Sequence, residues 1–342
     1  MKEGIIHPGP SVKIIDSPIP TPSADQVLIK VIYSGSNPKD WKIPEWFGEP
    51  GIMNQGDDIA GTIAAVGSNV TEFKPGDRVA AFHEMLTPHG SFAEYAIAWA
   101  HTTFHIPAHV RFEEAATLPL AAMTSACGLY LDLGLAPPFR PTTEVTPLLV
   151  YGGASAVGAF AIQFAVRSNI HPIIAVAGRG IAFVEGLLDK SKGDAVVDYR
   201  DGDDAVVEGV VNALKGQKLG YCFDAVSEKG SYENASKVLE KGGHIALVLP
   251  GKDYKEIPEY INKHTTSVGC VHKDAKDHGY VYFRLIGQGL KDGWFKPHPH
   301  EVIPGGISGV EKGLTNLKNG VASAVKYVFK IDETPGAERS TL

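Results

Sequence analysis

Cysteine is scarce: Cys127, Cys222 and Cys270 are the only three in 342 residues, and they lie far apart. So few thiols exclude a disulfide framework and a four-cysteine zinc lobe, and they fit a reducing compartment. Each reads as a small buried hydrophobe. Basic runs are missing, and the net charge is −7. Nucleic acid is therefore not an expected partner, because phosphate binding calls for a basic patch. No apolar stretch is long enough to span a bilayer, which argues against a membrane role. The first residues, Met1-Lys2-Glu3-Gly4, carry neither an apolar signal core nor an Arg-rich amphipathic segment. The expectation is a cytoplasmic protein. Internal repeats and low-complexity segments are also lacking. What remains, 44% apolar and 21% charged residues, is an ordinary globular composition, and the length suggests about two domains.

The most informative stretch is Leu148–Val166 (LLVYGGASAVGAFAIQFAV). Leu148, Leu149, Val150 and Tyr151 predict a short buried strand. Gly152, Gly153, Ala154, Ser155, Ala156, Val157 and Gly158 predict a small-residue turn, and an apolar helix follows. Strand, small turn and helix open a dinucleotide-binding βαβ unit. Small side chains let backbone amides approach a pyrophosphate, and the helix N-terminus adds partial positive charge. Gly158 lets the helix pack against the strand. The turn departs from a strict G-x-G-x-x-G, since Ala154 takes the second glycine's place; an ordinary tight βα loop is the alternative. The surroundings favour the nucleotide reading. Further strands are predicted at Ile173–Ala177, Ala195–Tyr199, Tyr221–Val226 and Gly243–Leu249, with helices between, and that alternation implies a parallel sheet.

Upstream, short segments with Gly/Pro turns predict a compact β region of about 110 residues: Gly4–Ile6, Val12–Asp16, Gln26–Ser34, Ile59–Val66, and strands after Phe73–Val79 and from Gly90. Helix follows from Phe112, broken at Pro119 and continuing over Leu120–Leu133. From Lys273 the chain turns polar and aromatic, with an amphipathic helix at Gly306–Leu317, a last strand at Ser323–Ile331 and a loose tail from Asp332. The expected division is 1–121, 122–272 and 273–342, the third part returning to the first.

Several motifs stand in order along nearly the whole chain: Gly56–Gly67 (GDDIAGTIAAVG), Phe73–Val79 (FKPGDRV), Gly90–Tyr95 (GSFAEY), Ala115–Thr124 (AATLPLAAMT), the glycine turn, Val197–Arg200 (VDYR), Phe223–Val226 (FDAV) and Gly242-Gly243. Singly weak, together they resemble the medium-chain dehydrogenase/reductase superfamily. Within it the chain is similar to the zinc-free quinone oxidoreductases and to the fungal stand-alone enoyl reductases, whose nucleotide turn likewise begins Tyr-Gly-Gly. The resemblance implies an α/β protein with an N-terminal GroES-like β-rich domain and a Rossmann domain, a doubly wound parallel sheet. Zinc alcohol dehydrogenases of the superfamily place a catalytic Cys after the Gln26–Ser34 strand and then a Gly-His-Glu. Here these positions carry Ser36-Asn37-Pro38-Lys39-Asp40 and Gly56-Asp57-Asp58, so no metal site is expected.

In the zinc-free branch an Asn and an Asp of this loop, or a nearby Tyr, face the nicotinamide. The matching residues are Asn37, Asp40 and Tyr33. For Asn37 the alternative is a turn residue ahead of Pro38, and for Asp40 a helix cap. Trp41, Trp46 and Phe47 are read as pocket lining or core. Thr124 matches a Thr that contacts the nicotinamide carboxamide; its alternative is a helix Thr bonded to its own backbone. The end of the second strand, Ala175–Gly180, has no acid to hold a ribose 2′-hydroxyl. Gly178 leaves room there, and Arg179 suits a 2′-phosphate, which favours NADPH. Tyr199 matches a Tyr near the adenosine end, and Leu249 lies in the loop that passes over the nicotinamide in the family. His83, His89, His101, His105, His298 and His300 match no ligand spacing, the last two reading as loop.

The expected function is NADPH-dependent hydride transfer to a conjugated carbonyl: a quinone, an enone or an enoyl substrate. The alternatives are a trans-acting enoyl reductase of a polyketide pathway, an aldehyde or alcohol oxidoreductase, and, from another class, an NADPH-binding crystallin-like or RNA-binding protein. The oligomeric state is left open by the sequence; the resemblance points to a homodimer through the edge of the parallel sheet, with Thr265–Val271 as candidate edge strand.

Overall fold

The computed structural model describes residues 1–337. In chain order its main elements are β1 (Lys2–His7), β2 (Ser11–Asp16), β3 (Gln26–Gly35), α1 (Pro38–Phe47), β4 (Asp58–Val66), β5 (Arg78–Phe82), β6 (Tyr95–Trp99), β7 (Thr103–His105), α2 (Phe112–Ala115), α3 (Pro119–Ala126), β8 (Leu148–Tyr151), α4 (Ala156–Arg167), β9 (Ile173–Ala177), α5 (Ile181–Glu185), β10 (Ala195–Asp198), α6 (Asp203–Leu214), β11 (Tyr221–Asp224), α7 (Ser231–Val238), β12 (His244–Leu247), β13 (Asn262–Thr265), α8 (Lys276–Asp292), β14 (His300–Val302), α9 (Val310–Lys318) and β15 (Lys326–Lys330). The chain divides into two compact units, residues 1–120 with 269–342, and residues 121–268. Among the described residues no helix is long and apolar enough to cross a membrane.

The first unit is built on β3. This strand pairs antiparallel with β4, β6 and β15, in a sheet ordered β14-β15-β3-β4-β5-β7. Its apolar residues are buried along nearly its whole length, Val27, Ile29 and Val31 in the core with Ile59, Phe92 and Phe329. The β3–β4 register shifts at Leu28/Ile29 and Val31/Tyr33. Gly61 permits the close approach between them, since a Cβ there would stand 2.0 Å from the Lys30 carbonyl oxygen. β3 ends at Gly35, and α1 starts three residues later behind Pro38, whose missing N–H is no loss in the first turn.

The second unit is a six-stranded parallel sheet in the order β10-β9-β8-β11-β12-β13. All residues of β8 and β9 are buried, as strands covered on both faces must be. The strand order reverses between β8 and β11, and ligands bind open α/β sheets in the crevice at such a switch point. After α3 the backbone widens into a π-helical turn, Cys127–Asp132. Gly128 in that turn lies against Phe223 of β11, where a Cβ would sit 2.3 Å from the ring.

Three expectations are corrected. The edge strand is Asn262–Thr265, and Val268–His272 is a 3₁₀ turn. The apolar run Val268-Gly269-Cys270-Val271 suggested a strand, but an edge strand is paired on one side only and tolerates the polar sequence Asn-Lys-His-Thr. His298 lies in a loop as expected, but His300 does not. His298 is buried, its backbone N–H bonded to Thr117 Oγ1 at 3.1 Å, and His300 starts β14 beside β15. The start of the expected loose tail is structured: Ile331–Glu333 forms a 3₁₀ turn, and buried Thr334 accepts the Ile307 N–H at 2.9 Å. The rest of that call, 338–342, lies outside the described residues.

Candidate functional site

The glycine turn after β8 is organised around its own backbone. Gly152 has φ 78°, a conformation that suits glycine. The N–H groups of Gly152 and Gly153 donate to the Val176 carbonyl at 3.0 and 2.9 Å, which ties the turn to β9. Ser155 caps α4, its Oγ accepting the Gly158 N–H at 3.0 Å. A Cβ on Gly158 would stand 2.3 Å from the Gly152 carbonyl oxygen, so only glycine lets the helix start this close to the turn. The amides of Ala154, Ala156 and Val157 have no acceptor among the described residues. Three open N–H groups at the N-terminus of a twelve-residue helix fit a pyrophosphate.

The ends of β9 and β10 lie side by side, with Ala177 paired to Asp198. One residue on, Tyr199 covers Gly178, where a Cβ would come within 2.6 Å of the phenol ring. Arg179, two residues past β9, is exposed. At the end of β11 the Asp224 carboxylate accepts from the N–H groups of Val226 and Ser227, both at 2.9 Å, and from Ser231 Oγ at 2.6 Å. Burial raises its pKa to about 6. Ser227 Oγ donates to the Asp224 carbonyl and accepts the Val248 N–H at 2.8 Å, tying together the loops after β11 and β12. Leu249 stands in the second of these loops, its carbonyl accepting from Tyr254 Oη at 2.6 Å. Thr124 is buried on α3.

In the first unit a buried polar cluster gathers around the start of α1. Asn37 Nδ2 donates to Asp58 Oδ2 at 2.7 Å, while Asn37 Oδ1 accepts from Lys326 Nζ at 3.0 Å. Lys326 Nζ also lies 2.6 Å from Asp58 Oδ2, and Asp58 Oδ1 accepts the Leu120 N–H at 2.7 Å. Asp40 reaches back to cap α1, its Oδ2 accepting the Asn37 N–H at 2.8 Å. Beside it the Lys39 ammonium is held by Asp57, by Asp40 Oδ1 at 3.2 Å and by the Gln55 carbonyl at 2.5 Å. The other Asp57 oxygen, Oδ1, lies 3.0 Å from His83 Nδ1.

Burial dominates the electrostatics of this cluster. It pushes Asp40 up to about 7; Lys39 pulls the other way, and Asp57 and Asp58 add to the rise. Burial opposes ionisation of Asp57 as well, but Lys39 and His83 outweigh it and hold that carboxyl below its usual range. Lys39 is desolvated too, yet Asp57 and Asp40 keep its pKa above the ordinary value.

Of the sequence-predicted site residues, Asn37 and Asp40 are brought together. Tyr33 is not part of this cluster. Its phenol is half-buried, which with Glu113, Glu333 and Asp332 nearby raises its pKa to about 12, while Arg111 opposes. Trp41 packs at the edge of the core, whereas Trp46 and Phe47 are exposed. Lys326, Lys39 and the His83–Asp57 contact were missed. Lys326 is only 4% exposed at the start of the strand Lys326–Lys330, and nothing local in the sequence marks it for burial. Among the described residues no group of three His, Cys, Asp or Glu side chains gathers to hold a metal. At the position of the zinc enzymes' histidine, Asp57 holds an ammonium.

The family described as alcohol dehydrogenase GroES-like domain matches residues 23–108. The trans-enoyl reductase fsr4 of Gibberella fujikuroi is 50% identical over 308 residues, covering 89% of this chain and 91% of that protein. The trans-enoyl reductase ACTTS2 of Alternaria alternata is 32% identical, covering 94% and 96%. Among solved structures, the CurK enoyl reductase has a TM-score of 0.78 at 20% identity, covering 96% of this chain and 98% of that one. A Pseudomonas syringae quinone oxidoreductase has a TM-score of 0.74 at 19% identity, covering 96% and 99%. These two share the fold. With half of its residues identical to a trans-enoyl reductase across nine-tenths of its length, the chain belongs to the fungal trans-enoyl reductase branch of the medium-chain dehydrogenase/reductase superfamily, a group of nicotinamide-dependent oxidoreductases.

Proposed function

We propose that this protein is an NADPH-dependent, trans-acting enoyl reductase that saturates the conjugated double bond of an enoyl thioester during polyketide assembly. The 50% identity to a trans-enoyl reductase carries this reading, and it moves the emphasis from quinones to enoyl substrates. When bound, the nicotinamide supplies the hydride.

The chain's own residues bind and orient. The open amides of Ala154, Ala156 and Val157 take the pyrophosphate, with Gly152, Gly153, Ser155 and Gly158 holding the turn in shape. Gly178 and Tyr199 receive the adenosine end, and Arg179 pairs with the 2′-phosphate. Leu249 and Thr124 take the nicotinamide end, Thr124 at the carboxamide. Asn37 is fixed by Asp58 and Lys326 through one amide hydrogen and its oxygen. Its second amide hydrogen is the donor for a carbonyl or ribose oxygen. Asp40 holds α1 and thereby Asn37. Tyr33, with its raised pKa, acts only as a protonated donor. Water supplies the proton that completes the reduction.

The test is NADPH oxidation with a crotonyl thioester, a simple enone and 9,10-phenanthrenequinone as acceptors. Thioester turnover that exceeds the other two supports the proposal. Faster quinone turnover returns the protein to the quinone reductases, and NADPH binding with no turnover of any acceptor moves it to the binding proteins.

A further inference from the structure

Beyond the last paired residues of β9 and β10, Ala177 and Asp198, the two strand ends deliver Gly178 beside Tyr199. One step further each carries an arginine, Arg179 and Arg200. Arg200 is fixed in place. Asp198 Oδ1 accepts its backbone N–H at 2.9 Å and its Nε at 2.9 Å, and Asp198 Oδ2 accepts Nη2 at 2.5 Å. The tight 3₁₀ turn Tyr199–Asp201 brings the two side chains together.

A guanidinium has two usable edges, each offering a pair of roughly parallel N–H bonds. Asp198 occupies the Nε/Nη2 edge. The Nη1/Nη2 edge points elsewhere, and Nη1 has no partner among the described residues. The Arg200 side chain is 52% exposed, so an anion can reach it. The pairing also cancels the charge of Asp198, the acid nearest the end of β9, which would otherwise repel a phosphate. Asp201 is the other carboxylate in the field of Arg200.

We propose that Arg200, oriented by Asp198, is a second ligand of the nucleotide 2′-phosphate, so that selection of NADPH over NADH rests on two guanidinium groups. The proposal rests on the NADPH reading above. A single exposed arginine pays rotamer entropy when it closes on a phosphate; one already held along its other edge has lost most of that freedom beforehand.

The test is the dissociation constant of NADPH and of NADH, measured by calorimetry without any acceptor, for the wild type and four variants. Arg200→Ala is expected to raise the NADPH Kd about tenfold and to leave the NADH Kd within about twofold. Arg200→Lys restores less than half of that loss, since an ammonium cannot serve both edges. Asp198→Asn/Arg200→Ala separates contact from screening. A double variant that stays weak for NADPH supports a direct ligand, and one that regains wild-type affinity overturns it. Equal effects of Arg200→Ala on both nucleotides, or none, also overturn the proposal. Arg179→Ala distinguishes the two levels. If it weakens NADPH selectively while Arg200→Ala does nothing, only the role of Arg200 falls. If the wild type binds both nucleotides alike, the NADPH reading falls with it.

Discussion

Asp58 and Lys326 form an ion pair of 2.6 Å although 268 positions separate them in the chain. The pair is almost wholly dry, with side-chain exposures of 0% and 5%. Asn37 bonds to both partners. One bond network thus fixes the start of α1, the start of β4 and the start of β15.

Breaking this pair from one side leaves a charge stranded in the core. Lys326→Met is expected to lower stability by about 3–5 kcal/mol. Asp58→Asn/Lys326→Met is expected to lose less than the sum of the single changes, because the two groups are directly coupled. Urea unfolding midpoints of the three variants measure both effects.

Gly158→Ala tests the nucleotide turn. The new Cβ would stand 2.3 Å from the Gly152 oxygen and 2.9 Å from the Gly153 Cα, both backbone atoms that cannot swing aside. The turn must open, and the three free amides lose their common aim. NADPH affinity is expected to fall at least about tenfold. The rise in melting temperature expected from saturating NADPH in the wild type shrinks with it. Gly178→Ala is milder, since the atoms it meets belong to the Tyr199 ring, which is 49% exposed and able to move.

Asp40 makes stability depend on pH. Its folded pKa of about 7 lies above the ordinary value of 3.8, so between these values the folded chain binds more protons than the unfolded one. Its contribution is fully present below about pH 3.8 and is lost as pH rises towards 7. Asp40→Asn keeps an oxygen to cap α1 but cannot ionise. The wild type is expected to lose stability relative to this variant across that window, by at most a few kcal/mol. Chemical denaturation of both proteins at pH 4, 5, 6 and 7 gives the slope; parallel curves refute the assignment.

His298 acts with the opposite sign. Burial, and Lys326 nearby, depress its pKa from 6.5 to about 3. The unfolded chain then binds the extra proton between those values, so stability falls as pH drops from 6.5 towards 3. His298→Gln is expected to flatten that decline, read from the same titration extended to acid.

Asp194→Ala is expected to loosen the second unit. Its carboxylate accepts the Ile173 N–H at 2.7 Å and the Asp189 N–H at 2.9 Å, and it meets His171 Nδ1 at 2.8 Å. These contacts seat the start of β9. A loss of about 3 kcal/mol, with faster amide hydrogen exchange in β9 than in β3, is the expected outcome.

The nucleotide-binding unit was legible because its information is local. Buried strands read as apolar runs, and Gly158 and Ser155 act within a few residues of where they stand. The Asn37 cluster was legible only in part. The loop that carries Asn37 and Asp40 could be singled out, but what they touch arrives from β4 and β15, and no local pattern announces a lysine destined for burial. The edge strand was misplaced for the converse reason. Apolarity marks a strand when both faces are covered, and β13 has only one neighbour in its sheet. Tyr33 was named with Asn37 on the resemblance alone, and its charged neighbours in the fold are Glu113, Glu333, Asp332 and Arg111.

The pairing of β15 with β3 has a consequence for the chain as it leaves the ribosome. Val328 faces Gly35 in that pairing, and the residues of the second unit are all made in between. β4 and β6 can join β3 early, but its third partner is translated only after the whole second unit. Until then Asp58 waits without its counter-ion. A message truncated shortly before codon 326 would release a polypeptide with an intact nucleotide fold and a permanently unfinished sheet, the kind of product that quality-control proteases are built to find.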